Sequence, residues 1–249
     1  MTSRSTLRVD RDGAVAVLTL DRPEVLNAFD ESLTESLGAA VADAARDAAV
    51  RAVVITGAGR GFSTGQDLDD RLATIERGGD LHLGDELRRR YHPVIAAIRT
   101  MRKPVIAAVN GVAAASSTFR AAWGRVGLVP DAGSAFFLPR LVGWGKALDM
   151  ILTGEPVDAA EALRIGLVTH VWPDHAFADR WRELAATLAS GATEAFALTK
   201  QGLNAAMARG FEDFLEVEAD LQDRAGRTAD YARGVRAFAR KERPDFQGR

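Results

Sequence analysis

The stretch RAVVITGAGRGFSTGQDL, residues 51–68, gives the clearest indication of the fold class. A short continuous apolar run ends at Gly57, and a loop rich in glycine follows it. Before it, the residues from Asp30 onward have apolar positions at helical spacing, and Asp30 is a suitable N-cap. A helix, then a buried strand, then a glycine loop indicates the α/β class.

Further elements are predicted on both sides of this stretch. Hydrophobic patterning and the placement of Gly and Pro give their bounds. We expect a core over residues 1–190 and a helical region over 191–249. The predicted elements are a hairpin of 7–9 with 14–20, a helix over 85–102, a strand over 105–109, a short helix from Ser134, a strand over 167–172, and helices after Asp174 with breaks near Gly191, Gly210 and Gly226.

Composition excludes several functional classes. The chain has 249 residues and no cysteine, which rules out disulfides, zinc thiolate sites and a thiol nucleophile. A formal net charge of −2 gives no reason to expect nucleic acid or a membrane surface as partner. His/Asp/Glu spacing typical of a metal site is absent from the sequence. The first residues lack the apolar segment of a secretory signal, so a cytoplasmic location is expected.

Besides a plain turn, three functions of the glycine loop can be compared: a nucleotide-binding loop, a nucleophile elbow and an oxyanion site. The first is excluded, because the loop matches neither the dinucleotide fingerprint nor the P-loop. GFSTG, residues 61–65, fits the G-x-S-x-G elbow, which would make Ser63 a nucleophile served by His170 or His175. Alternatively, its backbone N–H groups, with a helix starting near Gln66, suit a developing oxyanion. The loop by itself does not decide between them.

Asp131, in GLVPDAGSAFF, is the main candidate for acid/base chemistry. Asp131 is a plain turn or N-capping residue on one interpretation, since a helix is predicted to begin near Ser134. The other is a catalytic carboxylate among apolar residues, which would make it a stronger base. The apolar neighbours in the sequence are Leu128, Val129, Phe136 and Phe137.

Together these motifs resemble the crotonase (enoyl-CoA hydratase/isomerase) superfamily. The resemblance rests on LDRPEVLNAF (20–29), VITGAGRGFSTGQDL (54–68), KPVIAAVNGVAA (103–114), VGLVPDAGSAFFLPRLVG (126–143) and the tail AGRTADYARGVRAFARKERPDFQG. Within it, the chain looks most similar to the ring 1,2-epoxyphenylacetyl-CoA isomerase branch of phenylacetate breakdown. The resemblance implies a crotonase (ClpP-like) spiral of ββα units with a C-terminal helical region, assembled as a trimer or a dimer of trimers.

The resemblance also implies an acyl-CoA thioester substrate and no separate cofactor, since coenzyme A is part of the substrate. Two backbone N–H groups would hold the enolate-like oxygen, the first being that of Gln66. Phe238 and Lys241 would reach the coenzyme A of a neighbouring subunit. The other expected substrate-binding residues are Val25, Leu26, Thr64, Gly65, Asp67, Leu68 and Gly111.

Isomerisation is favoured over hydration by two positions. Hydratases of this family use two glutamates, and Trp123 stands where one of them is expected. Asp131 matches a carboxylate of the isomerases, and one carboxylate suffices to move a proton along an allylic system. The prediction is an isomerase using Asp131, which for a ring epoxide gives an oxepin-type CoA thioester. The alternative is an enoyl-CoA hydratase of fatty-acid breakdown.

One departure from the family follows Ala115. Relatives continue with a glycine-rich turn, a helix and a buried strand, together about fifteen residues, that carry the second oxyanion N–H and the other glutamate. The coherent flanks favour a segment that the printed sequence omits over a stable deletion. An intact mass near 26.7 kDa would indicate deletion. A true loss would leave a non-catalytic acyl-CoA-binding protein as a further alternative.

Overall fold

The computed structural model describes residues 5–79, 82–111 and 117–249, with the side chain of Asp70 left out. In this part of the chain the main sheet has the order β1-β2-β3-β4. The predicted hairpin is confirmed, because β1 pairs antiparallel with β2, while β3 and β4 add in parallel. The strands are β1 Leu7–Asp12, β2 Val15–Leu20, β3 Ala52–Gly57 and β4 Val105–Ala108, with a small second sheet of β5 Thr118–Phe119 and β6 Val157–Asp158.

Helices cover both faces of this sheet and form the second half of the chain. The predicted capping of the first helix is confirmed, since the Asp30 side chain accepts a hydrogen bond from Leu33 N–H at 2.8 Å. The predicted breaks after Asp174 are confirmed as well. The helices are α1 Glu31–Arg46, α2 Asp69–Glu76, α3 Leu83–Glu86, α4 His92–Thr100, α5 Ser134–Val142, α6 Trp144–Thr153, α7 Ala159–Arg164, α8 Asp174–Ser190, α9 Thr193–Ala206, α10 Phe211–Gly226 and α11 Ala229–Arg240.

The sheet is buried on both faces, as its continuous apolar strands require. Alternate residues of β2 and β3 point to opposite sides. One set, including Leu18 and Val53, packs against α1 and α4. The other, including Val17 and Val54, packs against α8 through Trp181. The carboxyl ends of β3 and β4 therefore have a rigid support from two layers of helices.

The predicted strand over 167–172 is wrong. These residues form an irregular segment that faces the outer edge of β4 across a cavity of about 650 Å³. None of the described strands pairs with that edge of β4. A strand needs a partner for its backbone N–H and C=O groups. The cavity between β4 and residues 167–172, hereafter the strand gap, explains why an apolar, β-prone sequence stays irregular.

Candidate active site

Two asparagines fix the glycine loop after β3. Asn27 is fully buried, and its Nδ2 donates to Ala58 O at 2.9 Å and to Gly61 O at 2.7 Å. Asn110, just beyond β4, donates to Gly57 O at 2.9 Å and accepts from Gly57 N–H at 3.0 Å. The loop is thus tied to the chain before it and to the next strand of the sheet.

Gln66 sits on an isolated parallel bridge to Phe29. Phe29 N–H donates to Gly65 O at 2.8 Å, and Asp67 N–H donates to Phe29 O at 3.0 Å. In this pairing the N–H and C=O of Gln66 itself point to the opposite side. No described group accepts a hydrogen bond from Gln66 N–H. Among the described residues, the backbone donor predicted for the oxyanion thus has no acceptor, and the bridge to Phe29 fixes its direction.

The helix predicted to start near Gln66 begins three residues later, at Asp69. Gln66 stays extended because its neighbours are held by the bridge to Phe29. Its side-chain amide lies against an ion pair of Arg71 and Glu86. Oriented with its oxygen towards Arg71, the amide accepts a hydrogen bond from Nη2 at 2.6 Å. The side chain is thereby held away from its own N–H.

Gln66 and Asp131 line the same cavity, although 65 positions separate them in the chain. It is hereafter called the acyl cavity, after the substrate that the family resemblance implies. Its volume is about 390 Å³. Tyr91 also lines it, and burial raises the pKa of this phenol, so the hydroxyl stays protonated at neutral pH. The remaining lining is mostly aliphatic: Leu68, Leu72, Ile75, Leu83, Leu87, Val126, Leu128 and Val129, with Arg71 and Glu86 at the polar side.

Asp131 does not cap the helix that follows it. Gly133 is the N-cap of α5, and no side chain caps this helix. Instead, the Asp131 carboxylate accepts a hydrogen bond from the indole Nε1 of Trp123 at 3.0 Å. Its backbone C=O accepts from Ser134 N–H at 2.8 Å. The capping role considered from the sequence is therefore wrong, whereas the turn is present, and Asp131 lines the acyl cavity.

A second cavity of about 600 Å³ adjoins the first. Trp123 and Ala132 line this second cavity, while the neighbouring Asp131 lines the acyl cavity. Three predicted substrate-binding residues, Leu26, Thr64 and Gly111, also lie in its wall. The loop of residues 64–66 thus contributes Thr64 to the second cavity and Gln66 to the acyl cavity.

Of the remaining predicted site residues, some lie close to the two cavities and others lie far from them. Asp67 forms an ion pair with Arg22 at 3.1 Å, which leaves its carboxylate occupied. Val25 and Gly65 are on exposed turns beside Leu26 and Gln66, respectively. Phe238, 87% exposed, and Lys241 lie at the end of α11. In a single chain these two contact no part of either cavity.

The hydrolase interpretation finds no support in the geometry. The Ser63 hydroxyl donates to the backbone oxygen of Asn27 at 2.9 Å and accepts from Gly65 N–H at 3.1 Å. His170 stacks on Trp172 and lines the strand gap instead. A nucleophilic serine needs a base within hydrogen-bond reach. Ser63 is thus a loop-forming residue.

The described residues contain neither a metal-binding cluster nor a membrane-spanning helix. No group of three or more His, Asp or Glu among them is arranged to hold a metal ion. No described helix is both long and apolar enough to cross a membrane.

Sequence reasoning missed the residues that hold the site together. Arg22 joins the turn at 22–28 to the glycine loop through Asp67, and it also pairs with Asp30 at 3.3 Å. Asn27 adopts a left-handed backbone, with φ of 54°. The available signal in the sequence was an asparagine in this turn, because asparagine adopts a left-handed backbone more often than most residues do.

Comparison with known proteins places these features in a family. The sequence profile described as "Enoyl-CoA hydratase/isomerase" matches residues 10–118 and 112–249. A probable enoyl-CoA hydratase of Rhodobacter capsulatus is 41% identical over 99% of this chain and 100% of its own. The 1,2-epoxyphenylacetyl-CoA isomerase of Escherichia coli is 38% identical over 94% and 95%, respectively. A crystal structure of an enoyl-CoA hydratase/isomerase homologue from Mycobacterium abscessus superimposes with a TM-score of 0.91, at 35% identity over 98% of this chain and 100% of that one.

The same comparisons locate the departure after Ala115. The alignment to the Rhodobacter relative spans 263 positions, 14 more than the 249 residues of the chain. The family profile matches in two pieces that meet at residues 112–118. The relatives therefore have additional residues that this sequence lacks, as expected from the motif pattern. Residues 112–116 themselves lie outside the described part of the chain.

Proposed function

Because the chain belongs to the enoyl-CoA hydratase/isomerase family, whose fold it shares, we propose that it is an isomerase of an acyl-CoA thioester. The observation that carries this proposal is the meeting of Gln66 and Asp131 in one largely aliphatic cavity. A backbone donor and a single available carboxylate are what a proton shift next to a thioester needs.

Gln66 N–H is proposed to bind the thioester oxygen. Negative charge develops on this oxygen when a proton leaves the neighbouring carbon. A donor fixed in advance by the Phe29 bridge needs no reorientation as that charge forms. The second donor of the family lies in the residues that this sequence lacks, and the loss of one such donor costs about 100- to 1000-fold in turnover.

Asp131 is proposed to move the proton. Its carboxylate removes a proton from the carbon beside the carbonyl, and the electron pair of that C–H bond shifts towards the thioester oxygen. Returning the proton to a carbon two positions further along places the double bond next to the carbonyl. A ring-epoxide substrate is a narrower proposal, supported by the identity to the Escherichia coli isomerase, and would yield an oxepin-type thioester.

The coenzyme A portion is proposed to follow the wall of the second cavity. Leu26, Thr64 and Gly111 would contact the pantetheine side, with Val25, Gly65, Asp67 and Leu68 around the same turn. Phe238 and Lys241 would contribute to a neighbouring subunit of a trimer or a dimer of trimers. We place the protein in the cytoplasm and expect no separate cofactor.

Hydration of an enoyl-CoA is the second candidate, favoured by one observation. Glu86 is a second carboxylate in the wall of the acyl cavity. However, it forms ion pairs with Arg71 and with Arg90. Both oxygens of this carboxylate are already engaged by guanidinium groups. Glu86 is therefore a weak substitute for the glutamate that Trp123 replaces.

The assays that test these candidates are direct. Purified protein is given a 3-enoyl-CoA, ring-1,2-epoxyphenylacetyl-CoA and crotonyl-CoA, and the products are separated by mass spectrometry and chromatography. We expect isomerisation, and a loss of about 100- to 10,000-fold in Asp131→Asn. Asp179→Asn, an exposed carboxylate on α8, is the matched control and should retain full activity.

Three outcomes would overturn the proposal. Full activity of Asp131→Asn would remove the assigned base. Hydration of crotonyl-CoA without isomerisation would favour the second candidate. Binding of CoA thioesters with no turnover of any would identify an acyl-CoA-binding protein.

A further inference from the structure

We propose that Trp123 is a positioning residue for Asp131, which rests on the proposed isomerase function. In this role Trp123 holds one oxygen of the carboxylate, so that the other remains for the proton transfer. The family resemblance predicts for hydratases a side chain at this position that could activate water. Trp123 stands there instead and orients the single base.

The contact itself is well suited to this role. Trp123 Nε1 lies 3.0 Å from Asp131 Oδ1. An indole nitrogen is a donor only and carries no charge at any pH in the working range. A donor of this kind binds the ionised carboxylate more strongly than the protonated acid. The bond therefore holds this oxygen of the carboxylate in place.

The position of the indole is fixed by the residues around it. Trp123 begins a single 3-10 turn, Trp123–Val126, and its C=O accepts from Leu128 N–H at 2.9 Å. The indole packs against a buried cluster that includes Leu138 and Met150. The loop returns through Gly127, whose φ of 72° suits glycine, and so brings residue 131 back to residue 123.

The hydrogen bond divides the two carboxylate oxygens between two tasks. Among the described residues, the side chain that donates a hydrogen bond to the Asp131 carboxylate is that of Trp123, and the accepting oxygen is Oδ1. Oδ2 remains for the substrate proton. The other titratable or charged groups that line the acyl cavity are Glu86, Arg71 and Tyr91. Arg71 is already paired with Glu86, which leaves the indole as the direct partner of the base.

The indole also sets the type of reaction. A glutamate at position 123 could take a proton from water or return one to carbon, whereas an indole N–H does neither at neutral pH. Trp123 lines the second cavity, while Asp131 lines the acyl cavity. Asp131 is thereby left as one base with one free oxygen, which suits the return of the same proton to the substrate.

The test compares kcat and KM of wild type and Trp123→Phe with a 3-enoyl-CoA. Phenylalanine keeps an aromatic ring but has no N–H. We expect kcat to fall about 10-fold, the size of one lost charge-assisted bond, while KM stays close to the wild-type value because Trp123 acts through Asp131. Trp144→Phe removes an indole that is 74% exposed on α6, and both constants should match wild type.

A double-mutant cycle with Asp131→Asn separates positioning from packing. If Trp123 acts through Asp131, the Trp123→Phe change has little further effect once Asp131 is asparagine. Multiplying losses, or an unchanged kcat in a Trp123→Phe protein that melts like wild type, would overturn the inference. An inactive wild-type protein would instead contradict the proposed function itself. Trp123→Gln, which restores an N–H donor, should recover part of the lost rate.

Discussion

The side-chain amide of Asn110 and the backbone of Gly57 form a closed pair of hydrogen bonds. Asn110 Oδ1 accepts from Gly57 N–H at 3.0 Å, and Nδ2 donates to Gly57 C=O at 2.9 Å. The parallel pairing of β3 and β4 ends one residue earlier, at Thr56 and Ala108. The amide thus extends the ladder beyond the last strand pair and fixes the start of the loop that carries Gln66.

Asn110→Ala should lower both stability and turnover. The change leaves both backbone groups of Gly57 without this partner, at a cost of about 1–3 kcal/mol. Urea unfolding gives the stability, and initial rates with a 3-enoyl-CoA give the turnover. Asn204→Ala, which removes one hydrogen bond to Arg99 O on the far side of the chain, is the control and should leave turnover unchanged. Equal turnover in wild type and Asn110→Ala would contradict this role of the amide.

The elements that depend on local sequence could be predicted. Asp30 caps α1 as expected, and Gly191 and Gly210 interrupt the last helices where the pattern indicated. The strand over 167–172 could not be judged locally, because its formation depends on a partner strand, and none of the described strands lies beside it. The site follows the same division, since Gln66 and Asp131 stand in motifs, whereas their meeting in one cavity does not follow from any motif.

The contacts that hold the site join residues far apart in the chain. Asn110 and Gly57 are 53 positions apart, and Arg22 and Asp67 are 45 apart. No periodicity or spacing rule connects such pairs. The Trp123–Asp131 bond spans eight positions, but it depends on the left-handed turn at Gly127. A turn of that kind cannot be inferred from one glycine.

Asp230→Asn should destabilise the protein at neutral pH. Asp230 is 1% exposed and accepts hydrogen bonds from Gln247 N–H at 2.8 Å and Gly248 N–H at 2.6 Å. Burial acts to raise its pKa, but these bonds and one from Arg233 outweigh it and hold the pKa below 3.8. The loss of charge should cost about 1.5–3 kcal/mol, the range for hydrogen bonds to a charged group.

The effect of Asp230 should also depend on pH. A carboxyl group with a lowered folded pKa contributes stability above its unfolded value, and this contribution is lost as the pH falls through the folded value. The difference in unfolding free energy between wild type and Asp230→Asn should therefore shrink below about pH 3.8. Chemical unfolding from pH 7 to pH 2.5 measures it. The control Asp179→Asn should track wild type throughout, and a pH-independent difference for Asp230→Asn would contradict the linkage.

Lys103 should make the protein more stable as the pH becomes alkaline. It is 7% exposed, and its Nζ donates to Ala44 O at 2.6 Å and to Asp47 O at 2.7 Å. Burial lowers its pKa from the usual 10.5. Between the lowered value and 10.5 the unfolded chain binds more protons than the folded chain, so the contribution of this group to stability rises with pH.

Comparison with Lys103→Met isolates that contribution. The variant loses both carbonyl contacts, so it should be less stable at pH 7.5 by about 1–3 kcal/mol. The difference from wild type should then grow as the pH approaches 10.5. Urea unfolding at several pH values measures it, with Lys146→Met as control, because Lys146 is half-buried and paired with Asp149 on the surface of α6. A difference that stays constant would show that the folded protein does not lower the pKa of Lys103.

Restoring the residues that the relatives have should stabilise the chain and raise its turnover. The strand gap has β4 on one side and residues 167–172 on the other, and the missing positions fall between 112 and 118. A strand placed there would pair the free edge of β4 and bury apolar side chains, each worth about 1.5–3 kcal/mol. It would also supply the second oxyanion donor expected of the family.

The variant carries the corresponding segment of the Rhodobacter relative between Ala115 and Ser116. Its first requirement is that Gly111 and Ser117 move apart, since a Cβ at Gly111 would lie 2.7 Å from Ser117 Cα. A glycine-serine insertion of equal length makes the same opening without a strand, and longer loops cost only about 0.6 kcal/mol per doubling. We expect a higher melting temperature and at least about 100-fold faster isomerisation for the grafted segment alone. Equal behaviour of the two insertions would mean that the strand gap does not accept a strand, and that the irregular form of residues 167–172 has another cause.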